Sequence, residues 1–150
     1  MPKSFINPKS HYTGVGYSHA AKFSGQLVAV SGQVSLNERG ELVGRGDFEA
    51  QAVQVFENLK KVLAAAGAGL KDVVRLGTFL ADAKYLESYR AVRKRYLSEP
   101  YPASTGVIAG LVNPDFLIEI DVLALLPERR AAPRRPASRA RARPRRARRR

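Results

Sequence analysis

The spacing of hydrophobic and polar positions changes several times along this chain, and each change marks an element. Leu27-Val28-Ala29-Val30-Ser31 is a short apolar run typical of a buried strand, and a weaker strand precedes it near residues 20–23. Asn37-Glu38-Arg39-Gly40-Glu41 reads as a turn, and Gly44 and Gly46 prolong the loop. The period then becomes helical, with Phe48, Ala52, Val55, Phe56, Leu59, Val62, Leu63 and Ala66 on one face. Asp47 is placed to cap this helix and Gly67 to end it. Val73 to Leu80, rich in β-branched and aromatic residues, predicts a second strong strand.

A second helix is predicted from Lys84 to Leu97, capped by Asp82, with Tyr85, Tyr89, Val92 and Tyr96 at helical spacing. Pro100 and Pro102 stop any continuation. Strands over 104–111 and 116–126 follow, joined by a turn at Asn113-Pro114-Asp115. The last strand alternates. Phe116, Ile118, Ile120, Val122 and Ala124 share one face, and Leu117, Glu119, Asp121 and Leu123 share the other. This order of strands and helices predicts an α+β domain. Two helices cover only one face of such a sheet, and carboxylates at 119 and 121 on the other face argue against a sandwich core. Self-association that leaves polar pockets between subunits resolves the conflict.

Composition changes the picture in one place. The net charge is +13, but residues 128–150 hold twelve of the arginines and a single acid, Glu128. With that segment set aside, residues 1–127 keep 14 basic and 12 acidic residues, a net charge of +2. Residues 1–127 therefore read as the folded domain. From Arg129 onward only Arg, Ala, Pro and Ser138 occur, a composition that predicts a disordered tail. Such a tail is a solvated extension or a polycationic arm for RNA or another polyanion, although it lacks aromatic residues for base stacking. The absence of cysteine excludes disulfides and thiolate chemistry. His11 and His19 stand too isolated in sequence to make a metal site. No apolar run approaches the roughly 20 residues that cross a bilayer, and the opening residues lack a secretory pattern, so a cytoplasmic protein without a membrane partner is expected.

Six segments in order carry a resemblance to a known family. They are Gly16-Tyr17-Ser18-His19-Ala20, Val30-Ser31-Gly32-Gln33, Phe48-Glu49-Ala50-Gln51 with Glu57-Asn58-Leu59, Asp72-Val73-Val74-Arg75 through Phe79-Leu80-Ala81-Asp82, Pro102-Ala103, and Ile118-Glu119-Ile120-Asp121. Together they span nearly all of residues 12–126, and in this order they resemble the Rid (YjgF-like) family. The resemblance implies a chorismate-mutase-like α+β subunit, with a mixed sheet covered by two helices on one face. It also implies a barrel-like homotrimer with ligand clefts between subunits. The implied activity is hydrolysis of reactive enamines and imines, such as 2-aminoacrylate, to carbonyl compounds and ammonia, without a cofactor or metal.

Carried over position by position, Tyr17 matches the tyrosine that covers the ligand. Gly32 matches the position whose backbone meets it, where glycine permits close approach. Glu119 matches the acid that orients the attacking water, a general acid–base task. One position departs. Deaminase members read Pro-Ala-Arg-Ser, with the arginine gripping the substrate carboxylate, whereas this chain reads Pro102-Ala103-Ser104-Thr105. Ser104 and Thr105 are expected to line the cleft, and neither has a base placed to make it a nucleophile. Arg90, where the family has asparagine, is a candidate replacement cation, with Arg93 a second. Three readings follow: a deaminase with altered substrate binding, a non-catalytic ligand-binding or regulatory trimer, and RNA association through the basic tail.

Overall fold

The computed structural model describes residues 2–127, so the segment predicted as a disordered tail lies outside the described residues. Strands β1 (Lys3–Ile6) and β2 (Ala20–Phe23) form an antiparallel ribbon. Four others, β3 (Leu27–Gln33), β4 (Val73–Leu80), β5 (Ala103–Ile108) and β6 (Ile118–Leu125), make a mixed sheet in the order β3-β6-β4-β5. Only β4 and β5 run parallel, and the intervening helix α2 (Leu86–Tyr96) supplies the crossover that a parallel pair needs. Helix α1 (Phe48–Ala65) connects β3 to β4 and lies beside α2.

The long helix forms where the apolar period predicts it. Asp47 accepts a hydrogen bond from the Ala50 amide, which satisfies one free N–H of the first turn. At the far end Gly67 takes φ +82°, the left-handed conformation that ends a helix without strain for glycine. Its inward face is Phe48, Ala52, Val55, Phe56, Leu59 and Leu63, while Val62, predicted on that face, is 39% exposed. Helix α2 is shorter than expected. Asp82 caps a separate 3-10 turn over Ala83–Tyr85 through the Lys84 amide, and the α-helix begins only at Leu86. Its apolar face is thin, and aromatic stacking compensates. Tyr85 stacks on Phe48 with ring centroids 4.5 Å apart, and Tyr96 stacks on Phe56 at 4.7 Å.

In β6 the predicted alternation holds: Ile118, Ile120, Val122 and Ala124 are buried beneath the helices, and Glu119, Asp121 and Leu123 face the open side. No element of the described residues covers that open side, because both α-helices pack on the other. Two sequence expectations change. Strand β5 ends at Ile108 rather than 111, because β4, its pairing partner, ends at Leu80. Strand β1 has no counterpart in the sequence reading, being four residues of mixed polarity that form by pairing with β2.

Candidate functional site

Strand β3 carries an irregularity that shapes the open face of the sheet. Val30 pairs with Val122 and Gln33 with Ile120, so three steps on β3 match two on β6 and leave one extra residue. The irregular stretch contains Ser31 and Gly32, and it brings Gly32 over Glu119. A Cβ on residue 32 would lie 2.7 Å from Glu119 Cδ, so the carboxylate rests in space that only glycine leaves open. The same device recurs one strand away, where a Cβ on Gly77 would stand 3.0 Å from Asp121 Cγ. Asp121 pairs with Arg75 at 3.5 Å across the β6–β4 boundary. Among the described residues Glu119 has no cation within salt-bridge distance and no side-chain hydrogen bond. Ser31, Gly32, Arg75 and Asp121 border an open groove of about 510 Å³ on this face.

Tyr17 belongs to a different wall. The loop carrying it is tied to the start of β5, with the Ser18 amide donating to Pro102 O at 3.0 Å and Ser18 bridging Ala103. Asn7 fixes the loop from the other side: its Nδ2 donates to Ser18 Oγ at 3.3 Å, and its Oδ1 accepts from the His19 amide at 2.9 Å. The Tyr17 hydroxyl donates to Tyr12 Oη at 2.9 Å, and this bond holds the Tyr17 phenol above its usual pKa. His11 and His19, isolated in sequence, meet here with ring centroids 4.6 Å apart. Asn7, His11, Tyr12, Gly16, Tyr17 and Tyr101 help to line an open cavity of about 670 Å³.

The strand register fixes how far the two walls lie from each other. Ala103, beside Ser18, stands opposite Arg75, which stands opposite Leu123 on β6. Glu119 is four residues further along β6 and two strands away from β5. At about 3.3 Å per residue and 4.8 Å per strand, the separation is roughly 16 Å. Within one chain the Ser18–Ala103 bridge and Glu119 therefore lie at separate places on the sheet.

The remaining expected site residues also divide. Ser104 is in register with Leu76 and Thr105 with Gly77, which puts Ser104 on the helix-covered face and Thr105 on the open face beside Asp121. Arg90 joins neither wall; it bonds Glu87 at 2.6 Å on the outer surface of α2. Arg93, one turn on, is the buried guanidinium, with 6% of its surface exposed. Its Nη2 donates to Val15 O at 3.2 Å, and its Cζ lies 5.3 Å from the centre of the Tyr89 ring. The sequence signal for this burial was the helical stripe through Tyr89, Val92 and Tyr96, on which position 93 falls.

Comparison with known proteins agrees with this architecture. Residues 9–126 match the family model described as "Endoribonuclease L-PSP". The 3-aminoacrylate deaminase RutC of Acinetobacter baylyi is 37% identical over 124 residues, covering 83% of this chain and 98% of that protein. A RutC family protein of Pyrococcus abyssi is 37% identical over 109 residues, 72% of this chain and 84% of its own length. Among solved structures, the Rid family protein YyfB of Yersinia pestis superposes with a TM-score of 0.76 at 41% identity, covering 84% of this chain and all of that one. RidA of an Antarctic Psychrobacter gives a TM-score of 0.63 at 36% identity, covering 81% and 98%. The sheet, the helices and the Gly32–Glu119 arrangement are thus set in an α+β fold shared with these proteins. The chain belongs to the Rid (YjgF-like) family. Among the described residues no helix is long and apolar enough to cross a membrane.

Proposed function

We propose that this protein is an enamine or imine deaminase that acts as a homotrimer, with Glu119 and Gly32 of one subunit facing Tyr17 and Ser104 of the next. The observation that carries the reading is the carboxylate of Glu119 held against the bare backbone of Gly32, without a cation partner among the described residues, on a sheet face that no described element covers. Its relative at 37% identity is named for deamination of 3-aminoacrylate, an enamine. The roughly 16 Å of backbone between Ala103 and Glu119 in a single chain supports an assembly in which a second copy brings the two walls together.

The chemistry follows from those groups. Glu119 accepts a proton from water while the water oxygen bonds to the imine carbon and the C=N π pair moves to nitrogen. That nitrogen takes a proton, and the carbinolamine collapses with loss of ammonia to leave the carbonyl. Water and imine are consumed, carbonyl compound and ammonia are formed, and no electron acceptor is needed. Positioned acid–base help of this kind contributes about 10²- to 10⁴-fold.

Ser104 favours a second reading, a ligand-binding trimer without turnover, because a serine hydroxyl cannot supply the charge that grips a carboxylate. Imines generated in place by an amino-acid oxidase separate the two. The deaminase reading expects faster release of 2-oxo acid and ammonia than in buffer, lost in Glu119→Gln, from a species that sediments as a trimer. No acceleration with any of several amino-acid-derived imines overturns it, as does a monomer at micromolar concentration.

A further inference from the structure

Among the described residues, Arg93 is a buried cation with no carboxylate within salt-bridge distance, whereas Arg39, Arg45, Arg75, Arg90 and Arg95 are each paired with an acid. Its Nη2 donates to Val15 O, and its Nε–H is sealed from solvent without an acceptor. A guanidinium taken out of water is costly unless an anion or a full set of acceptors faces it. The ring of Tyr89 supplies part of that compensation by cation–π attraction, and one carbonyl supplies a little more. The Nε–H remains without an acceptor.

Its position relates this group to the Tyr17 wall. A Cβ on Gly16 would lie 3.0 Å from Arg93 Cζ, so only glycine backbone separates the guanidinium from the cavity that Gly16 and Tyr17 line. Gly16 also holds φ +76°, a conformation that other residues adopt only with strain. From the sheet side, Tyr89 beneath the guanidinium bonds Thr78 Oγ1 at 2.8 Å. Thr78 and Leu76 share the helix-covered face, and Leu76 stands opposite Ser104. Arg93 therefore lies over the same end and face of β5 to which Ser104 points.

We propose that Arg93, carried on α2, is the cation that receives the carboxylate of the substrate, which makes that substrate a 2-imino acid or its enamine tautomer. The inference rests on the deaminase reading for the reaction but not for the anion, because a buried, unpartnered guanidinium binds a carboxylate whether or not turnover follows. Arg90 instead pairs with Glu87 on the helix exterior.

Two measurements on the full chain test this. The first compares kcat/KM for a 2-imino acid with that for a neutral imine of the same size, in wild type, Arg93→Met and Arg93→Lys. Loss of a charge-assisted hydrogen bond predicts that Arg93→Met shrinks the preference for the imino acid by about 10- to 150-fold, with Arg93→Lys in between. An equal fall for both substrates identifies a strut for the Tyr17 loop and overturns the proposal. The second measures thermal stabilisation by pyruvate and by acetone. Stabilisation by pyruvate alone, lost in Arg93→Met but retained in part by Arg93→Lys, supports the site even if wild type hydrolyses nothing, in which case only the deaminase reading falls. If Arg93→Met does not fold, Arg93→Lys decides through the same two ratios, and an unchanged preference overturns the assignment.

Discussion

The carboxylate of Glu119 occupies the space that a side chain on Gly32 would need. This relationship couples two residues on different strands, so a change at either is expected to act on the other. Gly32→Ala forces the carboxylate to move, because a Cβ 2.7 Å from Cδ is closer than van der Waals contact allows. Both Gly32→Ala and Glu119→Gln should lower kcat/KM for imine hydrolysis by about 100-fold or more. The double variant should be little worse than either single one, since residues acting as a unit are not additive. Steady-state kinetics on the three variants checks this. Additive losses would separate the two residues.

Gln51 predicts a large effect away from the chemistry. It is fully buried on α1, where its Nε2 donates to Gly44 O at 3.1 Å and to Asp115 O at 2.9 Å. Its Oε1 accepts from the Leu117 amide at 2.9 Å, so one side chain pins the loop before α1 and the turn before β6. Gln51→Leu fills similar space but leaves the Leu117 N–H and the Asp115 carbonyl without partners, whereas Gly44 O keeps the Asp47 amide. At about 1–3 kcal/mol per unsatisfied group, a loss of roughly 2 kcal/mol or more is expected in urea unfolding. A loss under about 1 kcal/mol would mean that water replaces the amide.

Gln51 also illustrates how much of the molecule was legible in the sequence. The period of α1 identified its buried stripe, yet a glutamine between Phe48 and Ala52 gave no sign that it would be a core residue, because its partners are backbone atoms of distant loops. The alternation of β6 was legible, since its period of two leaves a single register that buries Ile118, Ile120 and Val122, although the strand runs Ile118–Leu125 rather than over 116–126. Gly32 and Glu119 were recognisable only through resemblance. Their contact depends on the extra residue in β3, which no local pattern encodes. The burial of Arg93 was hard to read for the same kind of reason. Charge predicts exposure, and the helical stripe that buries it became decisive only once Gly16 and Tyr89 were placed around it. The pairing of His11 with His19 came from the folding back of a loop, which sequence separation conceals.

Tyr89 gives a pH dependence of definite sign. Burial pushes its phenol above the ordinary value of 10.0, and the hydrogen bond with Thr78 and the nearby Arg93 charge only partly offset this. A pKa raised in the folded state favours the protonated form, so the stabilisation is fully present below the unfolded value and is lost as pH rises through the folded one. Wild-type stability should therefore decline above about pH 10, and Tyr89→Phe should decline less steeply over the same range. Urea midpoints collected from pH 8 to 11 check the difference. Parallel slopes would assign the decline to Tyr17 and Tyr96, whose pKa values are also raised.

The basic segment makes a prediction that depends on charge alone. Residues 128–150 carry twelve arginines, whereas residues 1–127 have a net charge of +2, so polyanion affinity should reside almost entirely in the segment. Each arginine that neutralises a phosphate releases a counterion, and for single strands the logarithm of the binding constant falls with the logarithm of salt at about −0.7 per contact. The full chain should thus bind single-stranded RNA with a steep salt slope and little sequence preference, since no aromatic residue in the segment is available to stack on bases. Deleting residues 128–150 should abolish that binding and leave imine hydrolysis unchanged, because neither Glu119 nor Tyr17 lies in the segment. Fluorescence anisotropy at two or more salt concentrations, run beside the ammonia assay, reads both. RNA binding that survives the deletion with the same slope would place the nucleic-acid surface on the folded domain.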